Sequence, residues 1–216
     1  MSAIQQLMAA YGGAAGQWEW TARETSRNWS AVASSSDGTK LVAAVTGGQI
    51  YTSADSGVTW TAREASRNWY AAASSSDGTK LVAAAYPSQI YTSADSGVTW
   101  TAREASRNWY AAASSSDGTK LVVAVYGGQI YTSADSGVTW TARGASRNWS
   151  AVASSSDGTK LAAAVNGGQI YTSADSGVTW TAGETARNWR AVASSSDGTK
   201  LVAAVAGGQI YTGVVS

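Results

Sequence analysis

The side chains of this sequence that could take part in chemistry recur at a spacing of 40 residues. Arg27, Asn28 and Trp29 stand together, and the same three residue types return in four later copies, as does Gln49. An indole face stacks on the apolar face of a sugar ring or on a cation, while Arg, Asn and Gln offer polar contacts. This pattern predicts one weak binding site in every copy, and several such sites on one rigid body would bind by avidity.

Catalysis is a poor fit for the same pattern. A catalyst needs one asymmetric group of residues, whereas the arginines and the acids here recur at the same positions of successive copies. The chain has no His and no Cys, which excludes His-based mechanisms, Cys nucleophiles and imidazole or thiolate metal sites. We therefore predict a protein that is not an enzyme, with no catalytic residues, no metal and no cofactor.

Charge and hydropathy exclude two further classes of partner. The 216 residues carry 15 Lys plus Arg against 14 Asp plus Glu, a net charge of +1. A nucleic-acid partner would need a clear basic excess, and no stretch approaches the roughly 18 apolar residues of a membrane span. The start of the chain lacks the basic region of a secretory signal. We expect no nucleic-acid partner, no membrane insertion and, by default, a cytoplasmic location.

The repeat that positions these residues begins at Thr21. Copies follow every 40 residues, a period that favours propellers or arrays. Each copy has four short runs separated by turn residues, as expected of four antiparallel strands, which is one propeller blade. In the first copy the predicted strands are a (29–35), b (41–45), c (49–53) and d (58–63).

The two ends of the repeat predict a closed ring. The last copy stops in strand c, and residues 17–20 align with the start of strand d in the first full copy. The N-terminal segment would then complete the last blade and leave no open edge. We predict a tail or short helix over residues 1–16, followed over 17–216 by a single all-β, five-bladed β-propeller that is monomeric.

A second motif marks the turn between strands c and d. The pattern S-x-D-x-G-x-T-W occurs at Ser53–Trp60 and returns three times at the same spacing. The chain therefore resembles the Asp-box, or BNR-repeat, β-propellers, a family that includes sialidases, sortilin-like receptors and photosystem-assembly factors. The resemblance implies that the box is structural: its Asp satisfies backbone donors and its Trp packs the hairpin. The positions concerned are Asp55, Trp60, Asp95, Trp100, Asp135, Trp140, Asp175 and Trp180.

Two positions differ most between the copies. One follows the strand-a tryptophan and the other ends strand b, so a three-residue hairpin loop at 37–39 would place residues 30 and 46 opposite each other. Variation on one rim is typical of a recognition surface, although drift at unconstrained loop ends or engineering gives the same pattern. The first position holds Ser30, Tyr70, Tyr110, Ser150 and Arg190, and the second holds Thr46, Tyr86, Tyr126, Asn166 and Ala206.

These observations leave two functions open. The first is a multivalent, lectin-like module that binds glycans through the residues named above, on the face that carries the d–a and b–c loops. The second is a structural or protein-interaction propeller without a small ligand: an assembly factor, a virion component or an engineered scaffold. In that case Trp29 packs between blades, Arg27 stacks on the Trp29 indole or bonds a neighbouring carbonyl, and the tyrosines form one contiguous contact patch.

Overall fold

The computed structural model describes residues 19–215, and the predicted tail at 1–16 lies outside them. In the described part the chain forms thirteen β-strands. They are β1 (Trp29–Ser34), β2 (Leu41–Ser53), β3 (Thr61–Ser74), β4 (Leu81–Ala85), β5 (Ser88–Ser93), β6 (Thr101–Arg107), β7 (Trp109–Ser114), β8 (Leu121–Ser133), β9 (Thr141–Ser154), β10 (Leu161–Ser173), β11 (Thr181–Ser194), β12 (Lys200–Val205) and β13 (Ile210–Val214).

Each 40-residue repeat folds as one antiparallel unit. We number the units one to five, covering residues 29–67, 69–107, 109–147, 149–187 and 189–214. The structure differs from the prediction at strand d, which begins at Thr61 and not at Val58, because residues 58–60 belong to the preceding turn. Strand d then runs on into strand a of the next unit, as in β3, where a loop was expected.

The strands form two antiparallel sheets, and neither closes on itself within the described residues. One has the order β1-β2-β3-β4-β5-β6 and the other β13-β12-β11-β10-β9-β8-β7. Sheet pairing joins neighbouring units because a long strand such as β3 pairs with β2 through its first half and with β4 through its second. This accounts for the serial order of the units.

The long strands bend at one left-handed residue. Glu64 has a φ of 55°, and Gly144, which replaces the acid in unit three, has a φ of 62° at the same position. Gln49 Nε2 donates to the Glu64 carbonyl oxygen at 2.8 Å, which bridges the register shift between β2 and β3. The glycine fits this conformation without the steric penalty that a Cβ brings.

Neighbouring units pack face to face. Between units two and three, Val82 and Ile90 of unit two contact a cluster with Trp109, Val123 and Tyr131 of unit three. We call the first surface the forward face of a unit and the second its rear face; equivalent clusters fill the other three interfaces. The many alanines of strands a and b let the sheets approach closely, and this burial is the main source of stability.

A ladder of backbone hydrogen bonds reinforces the packing. Ser36 N donates to the Ser76 carbonyl oxygen at 2.8 Å, and the bond is repeated from Ser76 to Ser116, from Ser116 to Ser156 and from Ser156 to Ser196. The ladder fixes the a–b turns of successive units at one side of the molecule.

The predicted closure of the ring is not found in the described residues. Gln17 and Trp18 lie outside them, and Glu19 and Trp20 belong to no strand, with the Trp20 side chain exposed. Unit five ends with β13, which pairs only with β12 among the described strands. Among residues 19–215, nothing covers the forward face of unit five or the rear face of unit one, and we call these two faces the open ends.

Candidate functional site

Four tyrosines from units two and three form one continuous cluster, which we call the tyrosine patch. The ring centroids of Tyr70 and Tyr86 lie 5.3 Å apart, those of Tyr70 and Tyr110 lie 5.4 Å apart, and those of Tyr110 and Tyr126 lie 5.6 Å apart. The rings are tilted against one another, and Tyr126 is exposed while the other three are half-buried. The structure thus brings both variable positions of two adjacent units together.

The hairpin register that we predicted for these positions is wrong in detail. Cα partners run Ala31↔Ala44 and Trp29↔Val45, so residue 30 is the extra residue of a β-bulge and does not lie directly opposite Thr46. A bulge re-aims a side chain, which is why it is common beside functional sites. The same bulge between Trp69 and Ala71 holds Tyr70 where its ring meets Tyr86.

A cation lies beside the patch. Arg190 of unit five is exposed, and its Nη1 donates to the Tyr110 hydroxyl oxygen of unit three at 3.4 Å. These units are not neighbours, so the contact shows that residues at this variable position converge across the molecule. The tyrosine patch and the guanidinium together offer aromatic surface and a positive charge on one side.

Smaller residues at the variable positions turn back onto the backbone. Ser30 Oγ donates to the Trp69 carbonyl oxygen at 2.7 Å, and Ser150 makes the equivalent bond to Trp189. Thr46 Oγ1 donates to the same Trp69 oxygen at 3.3 Å, while Asn166 is half-buried. In units one and four these positions therefore hold small polar side chains, three of which bond to the backbone, whereas in units two and three they hold aromatic rings.

The strand-a tryptophans are packing residues. Trp109 has no exposed surface and its indole meets Tyr131 edge to face, with centroids 4.9 Å apart. Trp69, Trp149 and Trp189 are covered in the same way. Trp29 is 38% exposed because no unit lies against its rear face. Four of the five indoles predicted for glycan binding are therefore covered by packing, and only Trp29 keeps exposed surface.

The other repeated polar residues also have internal partners. The Arg27 guanidinium lies 4.7 Å above the Tyr51 ring and 3.6 Å from the Glu24 carboxylate, and the four equivalent arginines stack likewise. At Asn28 the hydrogen bond is made by the backbone, whose carbonyl oxygen accepts from Thr46 N at 2.9 Å. Sequence reasoning missed Tyr51 as a partner, although its presence in every copy was a signal.

The c–d turn is a closed hydrogen-bond network. Asp55 Oδ1 accepts from Ser53 Oγ and from Thr59 N, both at 2.8 Å, and Thr59 Oγ1 donates to Oδ2 at 2.6 Å. Trp60 Nε1 donates to the Gly57 carbonyl oxygen at 3.0 Å. Each later turn repeats these contacts, so the aspartates are committed to their own hairpins.

These contacts lower the pKa of the turn aspartates. Hydrogen bonds from Thr59 and Ser53 lower the pKa of Asp55 from 3.8 to about 2, and those from Ser35 and Thr39 do the same for Asp37 in the a–b turn. Because the folded pKa lies below the unfolded value, the bonds stabilise the fold while the carboxylates are charged. That contribution is lost as the pH falls through the folded pKa.

We expect a steep loss of thermal stability in acid. The unfolding midpoint should change little from about pH 7 to pH 5 and should fall from about pH 4 to pH 2. Circular dichroism melts measure it, with Asp135→Asn as the matched variant, whose acid-dependent fall should be smaller because one titrating turn is removed. A midpoint that stays constant down to about pH 2 would contradict the role given to these turns.

The described part of the chain offers few other sites. Residues 19–215 contain no cluster of three or more potential metal ligands and no helix suited to crossing a bilayer. A cavity between the turns of units three and four is lined by Lys120, Arg143 and Val178, and a similar one lies between units four and five. Since such cavities recur at equivalent places between units, we attribute them to the packing of neighbouring units and not to a specific binding site.

Comparison with solved structures identifies the fold. YCF48 from Cyanidioschyzon merolae superposes with a TM-score of 0.66 at 17% identity, over 87% of this chain and 67% of its own. YCF48 bound to a D1 peptide gives 0.67 at 17% identity, over 88% and 66%. The β-propeller domain of Myceliophteria thermophila Cps50 (Swd1) gives 0.71 at 15% identity, over 90% and 67%. The chain has a β-propeller fold.

The same fold occurs in enzymes. The GH74 enzyme of Niastella koreensis superposes with a TM-score of 0.65 at 24% identity, over 86% of this chain and 30% of that one. This chain therefore spans about two thirds of the YCF48 and Swd1 structures and under a third of GH74. No family model and no curated protein matches the sequence.

Proposed function

We propose that this chain is a non-enzymatic, protein-binding propeller whose contact surface is the tyrosine patch with Arg190 beside it. One observation carries the proposal: four aromatic rings from two adjacent units meet on one side of the molecule, with centroids 5.3–5.6 Å apart. Tyr and Arg are the residue types that concentrate binding energy in protein interfaces, because each combines apolar area with a directed polar group.

The chemistry of the patch favours a peptide segment with an acidic group. Tyrosine presents a large, rigid surface at low entropic cost, since it has only two side-chain torsions. Arg190 is exposed, and its guanidinium can form a bidentate pair with a carboxylate. A peptide that lays apolar side chains on the rings and an acid against Arg190 would use both features.

A catalytic role and a ring of glycan sites are less well supported. Asp55, Asp95, Asp135 and Asp175 are held by Ser and Thr inside their own turns, so no free carboxylate pair is assembled from them. Four of the five strand-a indoles are covered, and the repeated arginines stack on tyrosines of their own units. The features that repeat stabilise the fold, and the features that vary form the patch.

We further assign the five units to five blades of the Asp-box type. The four complete S-x-D-x-G-x-T-W turns share one hydrogen-bond network, which supports the structural role that the motif implies. Among propellers of similar fold, YCF48 has been solved with a peptide bound, so peptide binding is compatible with this scaffold.

The test is a binding selection with a matched variant. Random linear peptides displayed on phage would be selected on the wild-type chain, and the affinity of the best peptide measured by fluorescence anisotropy. The variant carries Tyr70→Ser, Tyr110→Ser, Tyr86→Thr and Tyr126→Asn, which are the residues that units one and four hold at these positions. We expect the variant to lose at least about tenfold in affinity.

The control is Val138→Ser, in an exposed turn at the opposite side, which should bind as wild type does. A glycan array runs beside the peptides with the same three proteins. A selected peptide that binds the tyrosine-replaced variant equally well overturns the proposal. So does a glycan whose binding depends on the four tyrosines in the absence of any selected peptide, and this result would favour the lectin-like alternative.

A further inference from the structure

The two ends of the described array expose surfaces that are buried everywhere else. On the forward face of unit five, Ile210 is 72% exposed, whereas its equivalents Ile50, Ile90 and Ile130 are fully buried. Val202 of the same face is also exposed. On the rear face of unit one, Val32 is 76% exposed, whereas the equivalent Val152 of unit four is buried. Within the part of the chain that the structure describes, each end is thus an apolar face without a neighbour.

The interior of the molecule shows what covers each face. At the interface of units three and four, Ile130 and Val122 of a forward face pack in one cluster with Trp149 and Val152 of a rear face. The forward face of unit five carries the same residue types, Val202 and Ile210, and the rear face of unit one carries Trp29 and Val32. The two open ends therefore carry the same two kinds of apolar surface that pack against each other at the four internal interfaces.

The curvature of the array keeps the two ends of one chain apart. A propeller arranges its blades around a central axis, and the five units superpose on 67% of the Swd1 propeller domain. The five units therefore match about two thirds of the length of that domain, and no described strand of unit five pairs with a strand of unit one. In agreement with this, the serine ladder that starts at Ser36 runs through four steps and ends at Ser196.

We propose that a second copy of this chain covers each open end, with the forward face of unit five packed on the rear face of unit one of the next molecule. In this contact Val202 and Ile210 of one copy lie against Trp29 and Val32 of the other, and Ser196 N donates to the Ser36 carbonyl oxygen. The interface is head-to-tail, because the two surfaces that meet are different. Assembly therefore proceeds through one kind of contact and depends on chain concentration.

Two point variants separate the two faces. Val32→Asp spoils only the rear face of unit one, and Ile210→Asp spoils only the forward face of unit five; both positions are exposed, so each chain should fold. A carboxylate buried without a partner is costly, so each variant alone should lose at least about 100-fold in self-association. Val138→Asp, at an exposed turn far from both ends, is the control and should associate as wild type does.

The decisive sample is an equal mixture of the two end variants. Each partner keeps the face that the other has lost, so the mixture should form a one-to-one pair that cannot grow, whereas wild type forms larger species with rising concentration. Light scattering coupled to size exclusion measures the masses.

A wild-type chain that stays monomeric over about a hundredfold range of concentration overturns the proposal and supports a ring closed within one chain. A mixture that forms no pair overturns it equally. Peptide binding at the tyrosine patch is a separate readout that these variants should leave intact.

Discussion

Replacing Trp109 by alanine will lower the free energy of unfolding by about 3–5 kcal/mol. The indole is fully buried between units two and three, where it packs in one cluster with Val82 and Ile90 of the preceding unit. It also meets Tyr131 edge to face and donates from Nε1 to the Ala105 carbonyl oxygen at 3.3 Å. Alanine removes all of these contacts and leaves a cavity that the sheets cannot fill by moving together.

Trp29→Ala is the matched control. The residue stands at the same position of unit one and keeps its contact with Tyr51 at 5.4 Å, but no unit lies against its rear face. We expect it to cost roughly half as much or less, because little surface is returned to water. Urea denaturation followed by far-ultraviolet circular dichroism measures both variants at a chain concentration low enough to avoid association. Equal losses for the two tryptophans would contradict the account of packing between units.

Gly137→Ala will be the second large effect, at about 2–4 kcal/mol. The glycine lies in the c–d turn of unit three with a φ of 83°, in the left-handed region that penalises a Cβ. An added Cβ would also lie 2.5 Å from Thr92 Cγ2 of the preceding unit and 3.2 Å from Trp140. The loss of stability therefore has two additive causes, which are strain in the backbone of the turn and overpacking between units two and three.

Gly57→Ala separates the two causes. Gly57 has a φ of 84° in the turn of unit one, but the nearest atom to its added Cβ is Leu41 Cδ1 of its own unit, at 3.2 Å. We expect a loss of about 1 kcal/mol from the backbone alone. The same urea experiment compares the two variants. A Gly137→Ala loss no larger than that of Gly57→Ala would show that the preceding unit does not restrict the turn.

The repeat predicted the all-β units and the turns well, because a 40-residue period with turn residues at fixed places leaves few alternatives. Asp37 and Asp55 were identified as turn residues from their position before Gly38 and Gly57, and both accept the expected backbone bonds. The join of strand d to the next strand a was missed, since the left-handed bend at Glu64 is unusual for a residue with a Cβ. Gly144 at the same position was the available signal.

The sequence predicted that the four tyrosines of the candidate site would lie together, but it did not show which of the repeated residues are packing residues. Variation between copies pointed to positions 30 and 46, and the structure brings Tyr70 and Tyr110 into contact there. Trp29 and Arg27 repeat just as regularly as a ring of binding sites would, so the sequence alone did not separate packing from recognition. Burial separates them, because the equivalents of Trp29 lie between units. The contact of Arg190 with Tyr110 joins units that are not neighbours, so it depends on how the whole array of units curves. A sequence pattern within one repeat does not predict that curvature.

The most direct test of the proposed function is a titration of tyrosine-labelled protein with the best selected peptide, followed by carbon-13 NMR. The chain has 10 tyrosines, and those packed against the strand-a tryptophans, such as Tyr91 and Tyr131, are internal controls. We expect the ring signals of Tyr70, Tyr86, Tyr110 and Tyr126 to shift with saturation while the control signals stay in place. Saturating peptide that leaves the four signals unmoved, or that shifts the control tyrosines instead, would contradict the assignment of the tyrosine patch as the binding surface.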